Sequence, residues 1–169
     1  MIRPAKYEDL PAINEIYNQA VDSRSATADL DYISFDERDK WFSEHNSDKY
    51  PVFVYEVSGN VVGWLSISPY RKGRRALDEA AEVSYYIHNN FQKLGIGSKL
   101  LEYCIENISS YGIKHIICIL LDINTGSIKL LEKYGFEQWA YLPDIVNLDG
   151  NICSHLFYGL TTDIANHKL

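Results

Sequence analysis

Between Glu82 and Leu101 the chain reads as a strand, a short polar turn, a loop punctuated by Gly95 and Gly97, and the first turns of an amphipathic helix. That order brings backbone N–H groups and the positive end of a helix dipole to one spot, where a phosphate group can sit. It also sets the class of fold, because strand and helix alternating in this way belong to a mixed α/β architecture.

The rest of the chain follows the same alternation. Residues 2–6 suit a short edge strand, where Pro4 is tolerated. Leu10, Ile13, Ile16, Tyr17, Ala20 and Val21 recur at helical spacing and predict a helix over residues 8–21, with Pro11 in its first turn. The polar run 22–29 breaks that pattern and reads as a surface loop beside a substrate cleft. Ser34 followed by Glu37 has capping-box spacing and announces a second helix carrying Phe35, Trp41, Phe42 and His45. His45 reads as a helix-surface residue with no special role.

Residues 52–57 and 61–67 form a hairpin around Ser58, Gly59 and Asn60, by β-branched content and turn chemistry. A strand over 80–88 leads into the glycine loop, and a helix runs from about Gly95 to Tyr111, with Gly112 as its cap. Residues 114–121 make an apolar run of the kind buried on both faces. A shorter helix over about 125–134 ends at Gly135, and two last strands, 136–142 and 152–160, flank the turn at 149–151. One domain over residues 1–169 is expected.

Composition narrows the partners. A net charge of −7 argues against nucleic acid, whose phosphates call for a basic excess. Thirteen tyrosines suit wet, partly apolar clefts. Cys104, Cys118 and Cys153 are odd in number, sit among apolar neighbours and lack metal-ligand spacing, so buried reduced thiols and no metal are expected. The N-terminus lacks the apolar run of a signal peptide and no window approaches a membrane span, which predicts a soluble cytoplasmic protein.

The loop at 92–97 is not a phosphate-binding Walker loop, since no Gly-Lys-Ser/Thr follows in order, and it lacks the third glycine of a dinucleotide fingerprint. Taken with its surroundings it resembles the GNAT superfamily of acetyl-CoA-dependent N-acetyltransferases. Their phosphate loop has the form Gln/Arg-x-x-Gly-x-Gly/Ala, filled here by Gln92, Gly95 and Gly97. Asn124 with Ser127, then Leu131 through Phe136, are similar to the superfamily's closing helix-to-strand signature. The phosphinothricin and L-amino-acid N-acetyltransferase branch is the nearest in pattern. The opening Ile2-Arg3-Pro4-Ala5, the run from Ile13 to Asn18, Ala26-Thr27, Glu37-Arg38 with Trp41-Phe42, and Glu82-x-Ser84-x-Tyr86-x-His88 carry that resemblance.

The resemblance implies a GNAT-like α+β fold, a mixed and largely antiparallel sheet with helices on both faces. It implies that backbone N–H groups of Lys93, Leu94, Gly95, Ile96, Gly97 and Ser98 hold the CoA diphosphate. Tyr85, Tyr86 and Ile87 would pair with the pantetheine arm through main-chain groups, as with an added strand. Asn124 would bond that arm or simply cap its helix, and Lys133 would reach the cofactor or complement the helix end. Glu82 would be the general base for the incoming amine; the plainer reading is a strand glutamate in solvent or paired with an arginine. The superfamily's acid position is occupied by Leu131, which cannot serve, and Tyr134 lies three residues on. Arg71, Arg74 and Arg75 form a basic loop in an acidic chain, either a solvated turn or a reader of an anionic substrate group. The expected activity is acetyl transfer from acetyl-CoA to the primary amine of a small amino-acid-like acceptor, such as phosphinothricin or a methionine derivative, in a homodimer. The alternatives are acetylation of a protein N-terminus or a polyamine, and a non-catalytic acyl-CoA-binding sensor.

Overall fold

A computed structural model describes residues 1–45 and 48–162; residues 163–169 of the expected domain lie outside that range. The elements run β1 (Ile2–Pro4), α1 (Leu10–Asp22), α2 (Phe35–Ser43), β2 (Val52–Val57), β3 (Asn60–Pro69), β4 (Ala80–Ile87), α3 (Ile96–Asn107), β5 (His115–Leu121), α4 (Thr125–Lys133), β6 (Glu137–Leu148) and β7 (Asn151–Thr161). The seven strands form one sheet in the order β1-β2-β3-β4-β5-β7-β6. Every pairing is antiparallel except β4 with β5. The expected order of elements and the expected antiparallel character both hold.

Period-two alternation in the strands divides the core between the faces. Leu65, Ile67, Ala81 and Val83 face one way and meet Leu100, Leu101 and Cys104 of α3 and Leu131 of α4. Val52, Val54 and Trp64 face the other way and meet Leu10, Ile13 and Ile16 of α1. Trp64, 1% exposed, donates its indole N–H to the Ile13 carbonyl at 3.1 Å, which fixes α1 on the sheet. The α2 start matches its sequence: Ser34 Oγ accepts from the Glu37 N–H, and Glu37 accepts from the Ser34 N–H at 2.8 Å. Helix α1 is preceded by a turn of 3-10 helix over Tyr7–Asp9, and α3 ends in another over Ile108–Tyr111, so both α-helices are shorter than the periodicity suggested. Strand β6 is longer than expected, because it continues past an irregularity between Leu142 and Val146.

All three cysteines are free and buried. Among the described residues no helix is long and apolar enough to cross a membrane.

Candidate active site

The parallel pair is what opens the sheet. Strands β4 and β5 are in register only at Ala80–His115, Ala81–Ile116 and Glu82–Ile117, and beyond Glu82 they part. The hydrogen bonds from Tyr70 N–H to Ala80 O and from His88 N–H to Val62 O set the phase of the β3–β4 ladder. Even-numbered residues of β4 therefore bond to β3, and the main-chain groups of Val83, Tyr85 and Ile87 face the gap. The Val83 N–H still closes the β4–β5 ladder on the Ile117 carbonyl, so Val83 offers the gap only its C=O, while Tyr85 and Ile87 offer both main-chain groups. Tyr86, expected there, turns its main chain to β3 instead.

The gap is one wall of a cavity of about 390 Å³. It is lined by residues 83–87 of β4, by Cys118, Ile119 and Leu120 of β5, and by Asn124, Ser127 and Leu131 around α4. Its mouth is formed by Gln92, Lys93, Gly95, Ile96, Gly97 and Ser98. Gly95 sits at φ 79° as the residue before α3, a left-handed conformation that a side chain would strain, and it offers no side-chain cap. In consequence none of the six N–H groups of residues 93–98 finds an acceptor among the described residues. Gly97 has a different duty: a Cβ there would stand 3.3 Å from Leu130, so glycine lets α3 start close against α4. Asn124 lines the cavity and also caps α4, its Oδ1 accepting from the Ser127 N–H at 3.2 Å. Both readings of Asn124 fit the geometry.

A second cavity, of about 520 Å³, lies on the α1–α2 face of the same strand. Glu82, Ser84 and Tyr86 point into it from β4, joined by Trp64, Ser66 and Ser68 of β3, Tyr17, Arg38, Trp41 and His155. The 22–29 loop borders both spaces, with Ser23 and Ala26 on the first and residues 26–29 on the second. Ser84 and Tyr86 line both, so the two spaces meet across β4. Glu82 is half-buried, and burial raises its carboxyl above the ordinary range. No basic side chain pairs with it among the described residues, so its carboxylate is available to a ligand. Burial also pushes the Tyr17 hydroxyl up to about 12, helped by its hydrogen bond to Asp29.

Leu94 keeps its N–H in the expected row while its side chain, 64% exposed, lines neither cavity. Several other expected residues stand elsewhere. Lys133 lies over the Tyr134 ring, 5.3 Å from its centroid, and neither residue lines a cavity. Tyr134 follows the last turn of α4 and packs at the margin of the core, while Leu131, 1% exposed, holds the cavity wall. Arg71, Arg74 and Arg75 are all exposed, and Arg71 rests on Tyr70. The chain does not bring that loop to its own cavities. His45 is the reverse case: its Nδ1–H donates to the Trp41 carbonyl at 2.8 Å and its Nε2 meets the Ser68 hydroxyl at 3.0 Å. Burial lowers its pKa, so it serves as a neutral bridge between α2 and β3 and not as a surface residue.

Arg38, quoted from the sequence only as part of the resemblance and given no role there, lines the second cavity; its helical spacing from Trp41 was a usable signal. The Tyr85 hydroxyl is sealed from solvent and has no hydrogen-bond partner among the described residues; Ser127 lies beside it without the required geometry.

Comparison with known proteins gives the frame for these two cavities. YwnH of Bacillus subtilis is 37% identical over 150 residues, covering 88% of this chain and 91% of the relative. The L-amino acid N-acyltransferase MnaT of Escherichia coli is 33% identical over 165 residues, covering 96% of this chain and 94% of MnaT. Among solved structures, yncA from Salmonella typhimurium, determined with its cofactor acetyl-CoA, superposes with a TM-score of 0.91 at 31% identity. That match covers 96% of this chain and 94% of yncA. The model of the acetyltransferase (GNAT) family matches residues 10–136. The chain therefore belongs to the GNAT family as an acetyl-CoA-dependent acyltransferase, close to the phosphinothricin and L-amino-acid branch.

Proposed function

We propose that the protein acetylates the primary amine of a small amino-acid-like acceptor, with the donor in the first cavity and the acceptor in the second. One observation carries this reading. A half-buried Glu82, unpaired among the described residues, stands at the fork where β4 leaves β5, on the face opposite the unsatisfied N–H groups of 93–98.

Acetyl-CoA suits the first cavity on two counts. Six consecutive N–H donors without acceptors at a helix start match a diphosphate, and the free edge at Tyr85 and Ile87 matches the amides of a pantetheine arm. Bound there, acetyl-CoA supplies an acyl carbon activated by a thiol leaving group. Glu82 then takes a proton from the incoming ammonium, directly or through water, and its raised pKa lets it do so nearer neutrality. A main-chain N–H on the open edge of β4 supports the carbonyl oxygen as charge builds on it. Leu131 offers no proton to the departing sulfur. A thiol with a pKa of about 8.5 leaves as thiolate without one.

A homodimer belongs to the same reading. Trp139, Tyr141, Leu142, Ile145 and Ile152, all on the β6–β7 hairpin, are exposed, and a second copy would cover them. Release of free thiol from acetyl-CoA across a panel of amino acids, peptides and polyamines tests the activity. Turnover restricted to amino-acid-like acceptors is the expected result. No release with any amine, alongside tight CoA binding, would leave a sensor.

A further inference from the structure

Arg38 is a charged side chain only 4% exposed. The guanidinium carbon lies 4.5 Å from the Tyr17 ring centroid, 4.6 Å from that of Trp41 and 5.5 Å from that of Trp64. Its Nε–H donates to Asn14 Oδ1 at 3.3 Å. Among the described residues no carboxylate forms an ion pair with it, and its Nη groups have no hydrogen-bond partner. Those Nη groups are nevertheless not among the polar atoms sealed from solvent, and Arg38 lines the acceptor cavity. They open into that space.

A buried guanidinium without an anion is costly, because burial weakens the hold on its charge and stacking on aromatic rings offsets only part of the loss. The nearby carboxylates are committed elsewhere. Asp29 accepts from the Tyr17 hydroxyl and favours the Arg38 charge from beyond contact, and Glu37 is held by the Ser34 N–H and hydroxyl. The fixed Nε–H and stacked plane leave a flat pair of N–H groups presented in one orientation, which is the geometry that takes a carboxylate bidentately.

We propose that Arg38 receives the carboxylate of the acceptor amino acid, so that a zwitterion lies across the second cavity with its ammonium at Glu82. This rests on the acyl-transfer reading above and makes Arg38 the residue that separates amino acids from plain amines. The Trp41 and Trp64 rings hold the guanidinium in place, and no proton or bond changes at Arg38 during the reaction.

The test compares methionine, methioninamide, 3-(methylthio)propylamine and spermidine as acceptors for wild type, Arg38→Lys and Arg38→Met. Wild type should prefer methionine over the decarboxylated amine by about 100-fold in kcat/KM, since a site built for a hydrogen-bonded group rejects ligands lacking it. Both variants should lose about 100-fold with methionine and less than about threefold with the amine, the lysine variant because a point charge lacks the fork. Equal use of amine, amide or spermidine by wild type overturns the proposal, and so does an equal loss on methionine and the amine in the variants. A second measurement needs no chemistry: 4-(methylthio)butyrate, a carboxylate without an amine, should change the fluorescence of the Trp41–Trp64 pair saturably in wild type and not in Arg38→Met. If no amine is acetylated but this titration saturates, the transfer reading fails and the carboxylate site stands. If amines are acetylated and wild type shows no saturation, the carboxylate site fails alone.

Discussion

The two cavities on either side of β4 are built from different materials. The first, the proposed donor side, uses main-chain groups: the N–H row of 93–98, the open edge at Tyr85 and Ile87, and the close approach permitted at Gly97. The second, the proposed acceptor side, uses side chains gathered from α1, α2, β3, β4 and β7. A main-chain site binds whatever presents the right phosphates and amides, and tolerates change in its side chains. A side-chain site can be retuned residue by residue, so specificity belongs there.

The comparison breaks most visibly at Glu82. Glu82→Gln should lower kcat by roughly 10²- to 10⁴-fold, the range of a lost general base, while calorimetry finds CoA affinity unchanged. Wild-type turnover in this variant would remove Glu82 from the mechanism. On the donor side, Gly97→Val should weaken CoA binding by about 30-fold, because its branched side chain pushes α3 from Leu130 and displaces the N–H row. Its effect on acceptor KM, measured at saturating acetyl-CoA, should be small.

The pH profile sharpens the same contrast. As the proposed base Glu82 would act deprotonated, so kcat/KM should climb about tenfold per pH unit below its raised pKa and level off above it. The sign for stability is opposite. The folded state favours the neutral carboxyl, so Glu82 costs stability as pH rises from the ordinary glutamate value of about 4.3 through the raised one. Melting of Glu82→Gln should lack that decline. The smallest effect is expected at Tyr85→Phe. Removing a sealed, unpartnered hydroxyl should raise stability by about 1 kcal/mol in thermal melts and move CoA affinity less than about threefold.

This contrast also explains what could be read from the chain beforehand. A site made of backbone needs glycines and a helix start in fixed order, and Gln92, Gly95 and Gly97 sit close together in sequence. The core followed equally well from the apolar spacing of α1 and α3. The acceptor cavity needs Tyr17, Arg38, Trp64, Glu82 and His155 together, and only the fold brings them there. Arg71, Arg74 and Arg75 carry charge without burial, which fits the solvated turn of the two readings their sequence allowed. Arg38 is the opposite, a single charge whose meaning comes from the rings around it. Tyr134, three residues past Leu131, stands where the chain leaves α4, and its side chain does not follow Leu131 to the cavity.

The three-residue ladder between β4 and β5 has a mechanical side. It is the sole hydrogen-bonded seam among the described strands between the β1–β4 half of the sheet and the β5–β7–β6 half. A pantetheine arm laid along the open edge would lengthen that seam and act as a removable stitch, so the free protein can breathe about the fork at Glu82 while the loaded one is drawn shut. Rigidity would then arrive with the donor, at the place where the acceptor's amine has to be held still.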